Sequence, residues 1–145
     1  MRVNQVKGAP VLSDHIPTEV IERGDGRYVI ETDFTDYHLN AAGSVHGGVI
    51  AAFLDTGLAG GGASGVNRGE GKYGVTVSMT VNFVRPAVPG RARIVSTVVG
   101  GGSRTKFVEA RLFDDAALEG DAGPVATASA TVKVIDMPGL DRGDG

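Results

Sequence analysis

The chain contains no cysteine, which excludes disulfides, thiolate metal sites and a cysteine nucleophile and agrees with a reducing compartment. It has no apolar run long enough to span a bilayer, and its first residues, MRVNQVKGAP, lack the apolar core of a secretory signal. A cytoplasmic protein with no membrane contact is therefore expected. Charge of one sign is nowhere concentrated: the 14 Lys and Arg residues are scattered singly in a chain of formal net charge −3. No stripe is available to track a phosphate backbone, so no nucleic-acid partner is expected. What remains is a globular composition of 145 residues, enough for one domain with one core.

The stretch that organises the chain runs from His38 to Asp55, HLNAAGSVHGGVIAAFLD, a polar loop that turns into an apolar helix at a pair of glycines. Val49, Ile50, Ala51, Ala52, Phe53 and Leu54 are apolar at every position, which predicts a helix with no solvent face. Asp55 follows in its third turn. A carboxylate on a buried helix loses hydration, which disfavours its charged form unless something pairs with it. At the other end, the His46-Gly47-Gly48 turn presents backbone N–H groups at a helix N-terminus, where unpaired donors and the helix dipole favour a negative oxygen. The stretch thus offers an oxyanion site and an acid/base group. Gly47 and Asp55 are separated by roughly 12 Å along a helix rising 1.5 Å per residue, too far to reach one carbonyl together. Two copies related by a two-fold axis would pair the glycine end of one helix with the aspartate of the other.

Around this stretch, residues 1–17 read as an arm with a short helical turn after Ser13, and it is expected to pack on a partner subunit. Thr18 to Arg23 and Arg27 to Thr35 read as a hairpin around Gly24-Asp25-Gly26. The helix is expected to end where Gly57, Gly60, Gly61, Gly62 and Gly65 accumulate, because glycine costs helix interiors about 1 kcal/mol relative to alanine and is favoured at C-caps. From Tyr73 the period becomes two. Val75, Val77, Met79, Val81 and Phe83 form one row against Thr76, Ser78, Thr80 and Asn82, ended by Arg85-Pro86. Further strands are predicted at Arg91 to Val99, Thr105 to Phe113 and Val125 to Ile135, and residues 137–145 read as a polar tail. One helix and five to six alternating strands joined by short turns predict an antiparallel sheet packed on one helix, an α+β domain over residues 18–136.

The pattern His38-x-Asn40-x-x-Gly43-x-x-His46-Gly47-Gly48 followed by Asp55, with VTVSMTVNFVRPA (75–87) and GGSRTKF (101–107), resembles the PaaI-like acyl-CoA thioesterases of the hotdog fold, related to 4-hydroxybenzoyl-CoA thioesterase. The resemblance extends more loosely from Glu19 to Ile135. It implies a curved antiparallel sheet wrapped around one long central helix, an acyl-CoA substrate hydrolysed to a carboxylic acid and free coenzyme A, no cofactor, and homodimers that commonly pair into tetramers. A hotdog protein that binds acyl-CoA without turnover, as a sensor or carrier, is the alternative.

Each candidate residue has a structural reading beside the functional one. Asp55 is either a capping or paired aspartate near the helix end or, by resemblance, the general base or nucleophile of the reaction; a carboxylate can do either. Gly47 answers the need of a tight turn, and its N–H is also the natural donor to a thioester oxygen gaining charge. His46 could act as the base, since histidine is suited to proton transfer near neutral pH, whereas in the family it more often orients the loop. Asn40 suits a turn and by resemblance helps hold the nucleophilic water or the thioester. Thr76 matches a position where some relatives carry a hydroxyl that assists the aspartate, although strict alternation puts it opposite the apolar row of its strand. Gly48, Gly102, Ser103, Arg104, Thr105 and Lys106 are expected to contact substrate, the last five as a glycine-rich turn whose cations suit a phosphate. Asp36, His38 and His46 crowd one loop but lack a helical i, i+4 ligand pair, so no metal is expected.

Overall fold

A computed structural model describes residues 12–64, 72–120 and 122–136. The proposed tail at 137–145 and the first eleven residues of the arm lie outside the described residues, as does 65–71 of the loop after the helix. The chain runs α1 (Leu12–His15), β1 (Glu19–Gly24), β2 (Arg27–Phe34), a 3-10 turn (Asp36–His38), α2 (Gly47–Gly62), β3 (Lys72–Phe83), β4 (Gly90–Gly101), β5 (Thr105–Phe113), α3 (Asp115–Glu119) and β6 (Ala126–Asp136). All six strands form one antiparallel sheet in the order β1-β2-β4-β5-β6-β3. Every strand from β2 to β6 contacts α2, so the sheet curls around that one helix.

The seam between helix and sheet is made by Ile50, Phe53, Leu54, Gly57, Leu58 and Gly61, a spacing that keeps one helix face buried. Phe53, Leu54 and Leu58 are fully excluded from solvent, as are Ile30, Ile94, Leu112 and Val132 across from them. Phe53 meets Phe34 edge-on, with ring centroids 5.8 Å apart. The opposite face of α2 is not covered within the single chain: Gly48, Asp55 and Thr56 are exposed and Val49, Ala51, Ala52 and Ala59 are half-buried. A helix without a solvent face, as the sequence predicted, is thus not what one chain builds.

The helix ends within the glycine-rich stretch, as expected: α2 runs to Gly62 and is capped at Ala63. The glycines inside it have a second use. A methyl group placed at Gly57 would lie 2.6 Å from Ile94 Cγ2, at Gly61 2.9 Å from Ser96 Cβ and at Gly62 2.5 Å from Val132 Cγ1, while at Gly60 it would overlap the Tyr28 ring. These residues let the helix backbone lie directly on sheet side chains. The close packing offsets their helix-propensity cost of about 1 kcal/mol each.

The described part of the arm packs on its own chain. Ile16 is buried, Thr32 Oγ1 donates to the Pro17 carbonyl, and the buried His38 ring accepts from Thr35 N–H at Nδ1 (3.0 Å) and donates from Nε2 to the His15 carbonyl. Both ring nitrogens of His38 are therefore occupied, Nδ1 in capping the 3-10 turn and Nε2 in holding α1 down.

In β3 the predicted single apolar row is broken by a bulge between Thr76 and Ser78. Before it, Gly74 lies against the Ala59 carbonyl of α2, so Thr76, two residues on, also faces the helix. After it, Met79 and Val81 are half-buried, whereas Val75 and Val77 are exposed. Because one extra residue reverses the alternation, Thr76 is on the helix side and not opposite the apolar row.

Candidate active site

His46 ends the loop as the N-cap of α2, with φ −59° and ψ 133°. Its Nδ1 accepts the Gly48 N–H at 2.8 Å, and its own N–H donates to the His38 carbonyl at 2.8 Å. The neutral ring consequently carries its proton on Nε2. Gly48 N–H, expected to contact substrate, is already satisfied by this cap. Gly47 N–H, in contrast, has no acceptor among the described residues. The free donor at the positive end of a sixteen-residue helix is thus Gly47.

Asn40 spends its side chain on the loop. Its Oδ1 accepts from Ala42 N–H (2.9 Å) and Ser44 N–H (3.2 Å), and its Nδ2 donates to Ser44 Oγ (3.0 Å). This closed turn contains Gly43 at φ +84°, a left-handed conformation that favours glycine. Asn40 shapes the approach to His46 and Gly47, with one Nδ2 hydrogen left for a ligand.

At the other end of the exposed helix face stands Asp55, solvent-accessible in the single chain. β3 flanks α2 in the reverse direction: Phe83 lies beside Gly47 and Gly74 lies beside Ala59. Thr76, roughly 7 Å along the strand from Gly74, is near the level of Asp55 and Thr56. Its Oγ1 is buried and has no hydrogen-bond partner among the described residues. The structure therefore places Asp55 and Thr76 near one level of the α2–β3 seam, and Gly47, His46 and Asn40 at its Phe83 end. It does not bring the two groups together within one chain.

The β4–β5 turn is exposed from Gly101 through Thr105. Gly101 sits at φ +106°, Gly102 N–H bonds to the Thr105 carbonyl (2.8 Å), and the Arg104 carbonyl accepts Val134 N–H (2.7 Å). The turn is thereby fixed to β6, beside Lys133, which pairs with Thr105, and close to the Lys72–Asp136 ion pair. Asp136 is held below the ordinary carboxylate range by the hydrogen bond from Lys72 and its charge, with the Arg104 charge adding to them against a small opposing effect of burial. Arg104, Lys72 and Lys133 thus share the corner of the sheet at the Thr76 end of β3. Among the described residues no group of three or more His, Asp or Glu is arranged to hold a metal ion.

One device escaped the sequence reading. Asp114, fully buried, N-caps α3 by accepting from Ala117 N–H, accepts from Val88 N–H, and forms a two-pronged pair with Arg85 at 2.8 and 3.1 Å. Arg85 also donates to the Gly123 carbonyl at 2.9 Å. These bonds clamp the connection that follows Phe83. The partners are 29 residues apart, and neither α3 nor this pair leaves a periodic signal.

The sequence matches the thioesterase superfamily over residues 42–120, more than half of the chain. This chain belongs to that superfamily, and its six-stranded antiparallel sheet around one helix is the hotdog fold. The match includes His46, Gly47, Asp55 and the Gly101–Lys106 turn; His38 and Asn40 precede it. No curated protein matches the sequence significantly. Among solved structures, a thioesterase family protein from Silicibacter pomeroyi superposes with a TM-score of 0.77 at 20% identity, over 88% of this chain and 90% of that one. The PaaI protein of the phenylacetic acid degradation operon of Escherichia coli gives 0.73 at 21% identity, over 87% and 85%. A thioesterase from Haemophilus influenzae gives 0.72 at 18% identity, over 91% and 86%. At these identities the likeness concerns the fold. Among the described residues, no helix is long and apolar enough to cross a membrane.

Proposed function

We propose that the protein is a cytoplasmic acyl-CoA thioesterase whose active sites are shared across a homodimer. The observation that carries this reading is the unpartnered Gly47 N–H at the start of α2, with an exposed carboxylate, Asp55, two turns further along the same helix face. A thioester carbonyl accepting from Gly47 N–H gains a donor for the negative charge that develops on attack. Asp55 supplies the second requirement, as base toward water or as nucleophile toward the carbonyl carbon. Thr76, with its unpartnered hydroxyl, is suited to donate to that carboxylate. No cofactor is needed for this chemistry.

The two-fold assembly is supported by the edges of the sheet. β1, at one edge, carries Glu19 and Glu22 and is bulged between Val20 and Glu22, devices that discourage further pairing. β3, at the other, runs from Tyr73 to Phe83 without a charge, which leaves a long edge open to a second copy. Antiparallel pairing of β3 with β3 brings the Gly47 end of one protomer toward the Asp55 and Thr76 end of the other. The cationic turn carrying Arg104 and Lys106 lies at that second end, where the nucleotide phosphates of coenzyme A would be bound. The outer face of the sheet, opposite α2, is suited to pairing of dimers into a tetramer.

Purified protein assayed against short, medium and aromatic acyl-CoAs is expected to release free thiol from at least one class. Asp55→Asn should abolish turnover while leaving CoA binding nearly intact. Binding of acyl-CoA with no hydrolysis of any class by the unaltered protein would instead establish the sensor or carrier alternative.

A further inference from the structure

Phe83 is the last residue of β3 and follows Met79 and Val81 on the helix-facing side of the strand. Its position in the register is opposite Ala126, which is fully buried. A phenyl ring there would ordinarily be core, yet Phe83 is 55% exposed. Its ring edge is 3.5 Å from where a Cβ of Gly47 would stand, so the exposed aromatic borders the α2 N-terminal amide that has no acceptor among the described residues. The Arg85–Asp114 pair anchors the chain two residues further on, which holds the ring against Gly47.

The opposite side of α2 offers no room for a substrate group. Side chains of Tyr28, Ile94, Ser96 and Val132 fill the helix–sheet gap at Gly57, Gly60, Gly61 and Gly62 down to the helix backbone. Nearer Gly47 the same side is taken up by the buried Ile50, Phe53 and Leu54, so an acyl group whose carbonyl is bound at Gly47 N–H stays on the outer side of the seam. There, Phe83 is the aromatic surface that its own protomer presents beside Gly47. The cationic turn of the same protomer is at the far, Thr76 end of β3, so the nucleotide approaches from the other protomer and the ring faces the acyl side.

We infer that Phe83 is a specificity residue, its phenyl ring forming the acyl-side wall of the carbonyl site at Gly47. This rests on the thioesterase reading above. A flat apolar wall next to a hydrogen-bond donor favours planar aryl acyl groups, which stack on it, over short aliphatic ones, which leave much of the ring uncovered.

The experiment compares wild type, Phe83→Leu and Phe83→Ala on benzoyl-, phenylacetyl-, acetyl- and butyryl-CoA, with free CoA as competitive inhibitor and with dimer content measured by light scattering. In Phe83→Ala, kcat/KM for the aryl thioesters is expected to fall roughly tenfold or more relative to the aliphatic ones, with inhibition by free CoA and dimer content unchanged. Phe83→Leu should keep aliphatic turnover but not the aryl preference. Equal loss on all four substrates, or a loss that follows dimer dissociation, would overturn the proposal, because the ring would then serve the subunit interface. Unchanged ratios would also overturn it. A wild-type protein inactive on all acyl-CoAs would instead reject the thioesterase reading itself.

Discussion

His46 Nδ1 accepts the Gly48 N–H at 2.8 Å, and this single bond separates two neighbouring glycine amides into a satisfied one and a free one. It also makes the histidine a helix cap. With its acceptor nitrogen engaged and a proton on Nε2, the neutral ring has no lone pair left to take a proton from water. A proton-accepting role for His46 is thus disfavoured by geometry, which leaves the proposed role of Asp55, as base or nucleophile, without a rival in this histidine.

The first prediction separates these roles at His46. His46→Ala removes the cap and should destabilise the fold by about 1 kcal/mol and lower kcat by misplacing Gly47. Asparagine restores a side-chain acceptor and is a strong N-cap, so His46→Asn should retain activity within a few-fold of wild type. Steady-state kinetics of the two variants decides the matter, since a histidine acting as base would lose as much in asparagine as in alanine.

A second prediction concerns the glycines of α2. Gly62→Ala raises helix propensity by about 1 kcal/mol but drives a methyl to within 2.5 Å of Val132 Cγ1, and Gly60→Ala drives one into the Tyr28 ring. Overpacking of this kind costs about 1–3 kcal/mol, so each variant should unfold at lower denaturant concentration than wild type. Stabilisation would mean that the seam is looser than its contacts indicate.

These glycines mark where the sequence stopped being legible. The His46-Gly47-Gly48 turn, the apolar helix and all six strands could be read because each depends on neighbours in sequence, through alternation or capping. Propensity placed the end of α2 within the glycine-rich stretch, but that Gly57 and Gly62 also let the helix lie flat depends on Ile94 and Val132, residues far along the chain. Thr76 was misassigned for the same kind of reason. A bulge is set by the pairing of β3 with β6, and no local pattern announces it. The clamp of Arg85 on Asp114 joins two loops whose adjacency is a product of the fold, so a residue that read as the end of a strand proved to be half of a buried ion pair.

That pair gives the third prediction. Burial alone would raise the Asp114 pKa, but hydrogen bonds from Arg85, Val88 N–H and Ala117 N–H, together with the Arg85 charge, outweigh it and hold the carboxyl below its ordinary value of 3.8. A carboxylate depressed in the folded state contributes stability that is fully present above the unfolded pKa and lost as pH falls through the folded one. Denaturant midpoints should therefore decline as pH drops below about 4, and Asp114→Asn should flatten that decline. At neutral pH Asp114→Ala leaves Arg85 unpaired and two N–H groups unsatisfied, at a cost of about 3–5 kcal/mol. An unchanged acid limb in Asp114→Asn would assign the decline to other carboxylates.

The fourth prediction tests the shared site, on which the catalytic proposal depends. Gly47→Pro removes the N–H held to be the oxyanion donor, and the local geometry makes it a mild change to the helix. Gly47 is the first residue of α2, where proline's fixed φ suits the helix and its missing N–H breaks no internal bond. His46, at φ −59° and ψ 133°, is already in the extended conformation that a residue before proline requires. A Cβ at Gly47 meets only ordinary contact with the Phe83 ring at 3.5 Å. Asp55→Ala removes the carboxylate from an exposed helix position and should leave the fold intact. Each variant alone is expected to be inactive. Unfolded and refolded together in equal amounts, half the dimers become mixed, and each mixed dimer has one site with both defects and one with neither. Activity should return to about a quarter of the wild-type value. If both variants fold and mass spectrometry shows that mixed dimers have formed, yet no activity returns, each site would lie within a single chain. The separation of roughly 12 Å between Gly47 and Asp55 along α2 would then have to be bridged by another residue acting as base.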